Sequence, residues 1–155
     1  MEQKPTGELN ELLKNTSLNQ ISDYLKTNEK YLVDEERAFY YYFTDILKEK
    51  RIRLKDVYLR TGISESYGSK IISSEKHSAK RDLIIRLCIS GHFSLLETNR
   101  ALKLYGLSEL YAKDPRDACI IVALNSRIFD PDRVDEMLEE NGLAKQKYSK
   151  DTSDN

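Results

Sequence analysis

Lys70 stands among residues that could read the edges of nucleic-acid bases: Glu65, Ser66 and Tyr67 before it, and Ser69 and Ser73 beside it. A lysine can donate to guanine O6 or N7, serine hydroxyls pair with either kind of group, and a carboxylate at Glu65 can accept from cytosine N4. Cations flank the set on both sides, with Arg53 and Lys55 ahead of it and Lys76, His77, Lys80 and Arg81 behind. Such groups suit phosphate oxygens, contacts that fix register on a duplex without reading sequence. The array has no arginine or asparagine at its tip to grip a base in two places, so its expected specificity is modest.

The elements that must position these groups are short. Leu54 to Thr61 can form two turns of helix, which Gly62 ends; Ile63 is apolar, and Ser64 can cap a second helix from Glu65 to Ser73. Glycine suits a chain that reverses within one residue, often at positive φ. Val57, Ile63 and Ile71 are then placed to fasten the pair to the helix before it. Two helices joined by a tight glycine turn make the helix-turn-helix, whose second helix enters the major groove.

On these residues the chain resembles the Cro and phage-repressor type of helix-turn-helix proteins, the XRE family. The resemblance spans about residues 38–106: a leading helix, the two-helix motif, Glu75-Lys76 after it, and an amphipathic helix from about Lys80 to Ser90. The family pattern often closes on a Ser-x-x-Glu-x-Gly-like segment; here Ser69 is followed by Ile71-Ile72-Ser73-Ser74-Glu75-Lys76. The whole chain is also similar to small uncharacterised helix-turn-helix proteins of low-GC Gram-positive bacteria, through the runs RDLIIRLC and RALKLYGLSELYAKDPRDA. That second resemblance implies a shared architecture and no activity. Three positions depart from the repressor pattern. Tyr58 stands where the family usually has alanine, and Gly68 where it usually has the valine or isoleucine facing that alanine. Leu54 replaces a glutamine that often holds a phosphate. A large residue facing a small one reverses the usual pairing while roughly conserving volume, which cores tolerate.

Helix signals cover the rest of the 155 residues, and no stretch reads convincingly as a strand. Ser17 with Gln20 and Ser94 with Glu97 have capping-box spacing. Asp34 is placed to cap a helix with Glu35 and Glu36 in its first turn, where the dipole favours acids. Asp114-Pro115 and Asp130-Pro131 each set an N-cap before a proline at the first helical position. Gly106 and Gly142 read as stops. Phe39, Tyr40, Tyr41, Tyr42 and Phe43 must spread over half a helix, either as a core covered by the N-terminal helices or as a dimer contact shared with helices in 114–142. His92, beside Gly91, reads as a turn residue, and the pairs Asp135-Glu136 and Glu139-Glu140 as a solvated face.

Composition narrows the function classes. The net charge is −1, with 33% charged and 39% apolar residues. Residues 1–47 carry a net −4, residues 48–86 a net +6 and residues 87–155 a net −3, the local asymmetry expected of a docking face for an anionic partner. No apolar run approaches 18 residues and no leader opens the chain, which points to a cytoplasmic protein off the membrane. Cys88 and Cys119 are expected to be reduced, buried thiols, not metal ligands. No P-loop, dinucleotide or nucleophile-elbow pattern appears, so neither an enzyme nor a cofactor is expected.

The expectation is therefore an all-α chain of seven or eight helices. Its parts are an N-terminal helical arm (1–34), a repressor-like five-helix domain (35–106), a C-terminal helical extension (107–143) and a disordered tail (144–155). Its expected role is a sequence-specific regulator binding double-stranded DNA as a homodimer. The alternative is an adaptor that keeps the fold and docks another protein. A phosphate on Ser66 or Ser69 would face the duplex and repel it.

Overall fold

The computed structural model describes residues 6–28, 37–75 and 80–148, and among these every regular element is helical. Nine α-helices and one 3-10 turn are found there, where the sequence suggests seven or eight helices. The chain divides into two compact units, residues 1–35 and 36–155. The first holds α1 (Thr6–Lys14), a 3-10 turn (Leu18–Gln20) and α2 (Ile21–Thr27). The Gln20 side chain accepts from the Ser17 N–H at 3.0 Å, as the capping-box spacing requires.

The second unit runs α3 (Ala38–Lys50), α4 (Leu54–Thr61), α5 (Glu65–Ile72), α6 (Arg81–Ser90), α7 (Leu95–Leu104), α8 (Pro115–Asn125) and α9 (Pro131–Glu140). Asp34, Glu35 and Glu36 lie outside the described residues, and Arg37 occupies the N-cap of α3. The expected caps elsewhere are formed. Ser94 and Glu97 exchange bonds of 2.9 and 3.1 Å, and the carboxylates of Asp114 and Asp130 accept from first-turn amides. Gly106 and Gly142 stop their helices at φ +85° and +71°.

The core is a single apolar cluster with α6 at its centre, buried on all sides from Leu83 to Ser90. Phe39 and Phe43 on α3 belong to it, Phe39 meeting the Tyr105 ring edge-on at 4.8 Å. Tyr40 and Tyr41 lie half-buried near the Arg37 guanidinium. Ile120, Ala123, Leu124, Val134 and Leu138 belong to the same cluster. So α8 and α9 complete the domain's core and are not an appendage to a body ending at residue 106.

Three expectations need correction. Cys88 is fully buried, but Cys119 is only half-buried. Asp135 is not part of a solvated acidic face: it is half-buried and paired with Arg86, while Glu136 and Glu140 pair with Arg133. The tail is not disordered from residue 144. Ala144 to Tyr148 form a strap over α6, α8 and α9, in which Arg116 Nε donates to Ala144 O (2.8 Å), Gln146 N–H to Asp135 (2.8 Å) and Lys147 N–H to Asp82 (2.9 Å). Residues 149–155 lie outside the described residues.

Candidate nucleic-acid interface

The turn between α4 and α5 follows from local chemistry. Gly62 takes φ +90°, and its N–H returns to Tyr58 O at 2.9 Å. Ser64 then has extended backbone and accepts the Tyr67 N–H on its hydroxyl at 3.1 Å, opening α5. Val57, Ile63 and Ile71 are buried, as expected of the residues that fasten the pair.

Tyr58 and Gly68 face each other across the two helices. A Cβ on Gly68 would fall 2.4 Å from Tyr58 Cδ1 and 2.5 Å from Cε1, too close for any side chain unless the ring moved. Burial, with Tyr40 and Glu65 nearby, pushes the Tyr58 phenol up to about 12, so the ring packs as a neutral group.

Helix α5 presents two distinct faces. Tyr67, Gly68, Ile71 and Ile72 are buried, while Glu65, Ser66, Ser69 and Lys70 are exposed. Tyr67, expected to face outward, is a core residue at 9% exposure. It stands four residues before Ile71 and so shares that residue's inward face. Ser73 is half-buried, and its hydroxyl donates to Lys70 O at 3.4 Å.

The flanking cations divide. Lys55 is exposed, and Lys80 is exposed at the N-cap of α6. Arg53 is exposed and pairs with Asp56 at 3.1 Å. Lys76 and His77 lie outside the described residues. Arg81 overturns expectation. Its Nη1 and Nη2 donate to the two Asp117 carboxylate oxygens at 2.9 and 3.0 Å, and Nε and Nη2 donate to Ser108 O and Glu109 O. A guanidinium held by four such bonds secures the α7–α8 joint and has little left for a phosphate.

The Arg81–Asp117 pair predicts an acid-side dependence. Burial alone would raise the Asp117 carboxyl, but the Arg81 bonds, the Tyr111 N–H and the nearby Arg116 outweigh it and hold the carboxyl below its ordinary value. The stabilisation it contributes is complete above the unfolded carboxylate value of about 3.9 and is lost as pH falls through the lower folded value. Asp117→Asn should flatten that part of the pH–stability curve in urea unfolding; an unchanged acid limb would show that the pair contributes nothing there.

Sequence reasoning missed the group that holds this end of the domain together. Arg86, in the middle of α6, is 1% exposed. Its Nε and Nη2 donate to Thr61 O (3.3 and 3.1 Å), Nη1 to Asp135 (2.8 Å), and Nη2 also to Asp132 and the Tyr148 hydroxyl (both 3.3 Å). The Tyr148 ring lies over the guanidinium at 4.0 Å, and a Cβ on Gly62 would meet its hydroxyl at 2.9 Å. One buried cation thus ties the last carbonyl of α4 to α9 and to the strap, and the strap reaches the turn that aims α5. The available signal was an arginine inside an otherwise apolar run, where a solvated cation has no place.

Among the described residues no cluster of His, Cys, Asp and Glu could hold a metal ion, and no helix is long and apolar enough to cross a membrane. No family model, curated protein or solved structure matches this chain.

Proposed function

We propose that the chain is a cytoplasmic, sequence-specific DNA-binding regulator of the repressor type, with α4 and α5 as its helix-turn-helix and α5 as the helix that enters the major groove. The observation that carries the reading is the two-faced character of α5: its inner face is locked into the core, and its outer face offers Ser66, Ser69 and Lys70 to solvent. Lys55 and Lys80 supply phosphate contacts from either side, with Arg53 once it leaves Asp56. Glu65 at the tip opposes the phosphates and lowers affinity for every sequence alike. The protein acts as a homodimer, as two-fold operators require, with Tyr40 and Tyr41 on α3 as its candidate contact.

Selection of bound fragments from random duplex DNA tests this, with wild type beside Lys70→Ala. The wild type should enrich a defined site, and the variant should lose preference at one position, a change of about 1–3 kcal/mol. Binding should weaken with salt, each phosphate contact adding about −0.9 to the slope of log K against log salt. Absence of duplex binding at low salt would overturn the reading in favour of a protein-docking module. That second reading has one observation of its own, Leu59, which stands 78% exposed on the outer side of α4.

A further inference from the structure

Three helix ends converge on a cleft of about 610 Å³ on the domain surface. α3, α6 and α8 each close with a residue in left-handed backbone, after which an amide reaches back across the last turn. The bonds run from Ile52 N–H to Leu47 O, Phe93 N–H to Cys88 O and Ile128 N–H to Ala123 O, at 2.9 to 3.0 Å. Glycine is the usual occupant of the left-handed position, and α4, α7 and α9 use Gly62, Gly106 and Gly142. The three ends at the cleft instead carry Arg51, His92 and Arg127, at φ 58°, 62° and 60°, and the end of α5, away from the cleft, carries Ser74 at φ 64°. Strain retained at several neighbouring positions is a reason to look for a use.

Among the described residues the lining is amphipathic and contributes no carboxylate. Ile52, Leu124 and Phe129 give an apolar floor, while Lys50, His92 and Arg127 give a polar rim. Arg127 is exposed and has no ion pair among the described residues, whereas Lys50 pairs with Glu97 at 3.0 Å. The His92 ring stacks on Phe129 at 4.6 Å, and its Nε2 lies 3.3 Å from Arg60 Nη1. Arginine cannot accept a hydrogen bond, so Nε2 is the acceptor and Nδ1–H remains as the donor. Helix dipoles favour cations at such ends, but dipoles alone would not set those cations around an apolar floor.

We propose that this cleft binds a small amphipathic anion, an aromatic or alkyl carboxylate or phosphate monoester, with its charged group on Arg127 and the His92 Nδ1–H and its apolar body on Ile52, Leu124 and Phe129. Its volume lies within the range of small-molecule sites, and a few convergent polar groups over an apolar floor are their usual make-up. Binding does not depend on whether α5 meets DNA. It would, however, be felt there, because His92 touches Arg60 on α4, the helix that carries the turn into α5.

Amide chemical-shift titration of the full chain with benzoate, phenyl phosphate and benzamide tests the site. The two anions should give saturable shifts centred on residues 50–52, 92–95 and 125–129, and neutral benzamide should bind at least about tenfold more weakly. The better of the two anions identifies the headgroup. Arg127→Gln, at an exposed position, should leave the spectrum folded and weaken the anions about tenfold, and Phe129→Ala should weaken all three probes. The proposal is overturned if neither anion saturates in the millimolar range, if benzamide matches them, or if Arg127→Gln binds as the wild type does.

Discussion

Arg86→Met should be among the most destabilising single changes in the domain, lowering unfolding free energy by about 3–5 kcal/mol. The side chain is 1% exposed, and its removal takes a partner from Thr61 O, the Asp135 carboxylate at 14% exposure, the exposed Asp132 carboxylate and the hydroxyl and ring face of Tyr148. An unpaired carboxylate in that position carries a desolvation cost that the intact pair offsets. The methionine fills much of the volume, so packing alone would predict a milder loss. Arg86→Met combined with Asp135→Asn separates the two contributions. Asparagine keeps the oxygen that accepts the Gln146 N–H and removes the stranded charge, so the double variant should recover a substantial part of the loss. Arg86→Lys should fall between, because an ammonium cannot supply a planar fork to Thr61 and Asp135 together. Urea unfolding of the four proteins measures this. A loss under about 1 kcal/mol for Arg86→Met would show that the buried cation is a passenger.

That group was hard to find in the sequence for the same reason that it matters. Arg86 is separated from Thr61 by 25 residues, from Asp135 by 49 and from Tyr148 by 62. No local spacing rule reaches so far. Arg81 misled in the same way. It sits next to the basic stretch, and only its partner 36 residues on, Asp117, distinguishes a structural arginine from one that waits for a phosphate. The legible features obey rules only a few residues long. Gly62 with Ser64, Ser94 with Glu97 and the two Asp-Pro caps are where the sequence puts them, since a helix end is decided by its own four or five residues. Tyr67 lies between these cases, because the i, i+4 relation to Ile71 was present in the sequence and marks an inward position.

The Tyr58–Gly68 contact was legible across ten residues because a helix interior gives glycine no local reason to exist: it costs about 1 kcal/mol relative to alanine. Gly68→Val should therefore destabilise despite improving helix propensity. The new Cβ would fall within 2.4 to 3.0 Å of three ring atoms of Tyr58, a residue only 4% exposed with no ready path to solvent. The expected loss is about 1–3 kcal/mol from overpacking. Tyr58→Ala alone should cost about 3–5 kcal/mol through the cavity left by the ring. Together they should cost less than the sum, by about 2 kcal/mol, because the valine occupies the space that the ring vacates. The double variant sets a branched side chain against a small one at the same contact and roughly conserves its volume, so its α5 should also keep its seat. Additive losses would mean that the ring escapes the valine by another route. A negative coupling would locate in this one contact the reason that the chain can carry a tyrosine inside its first motif helix.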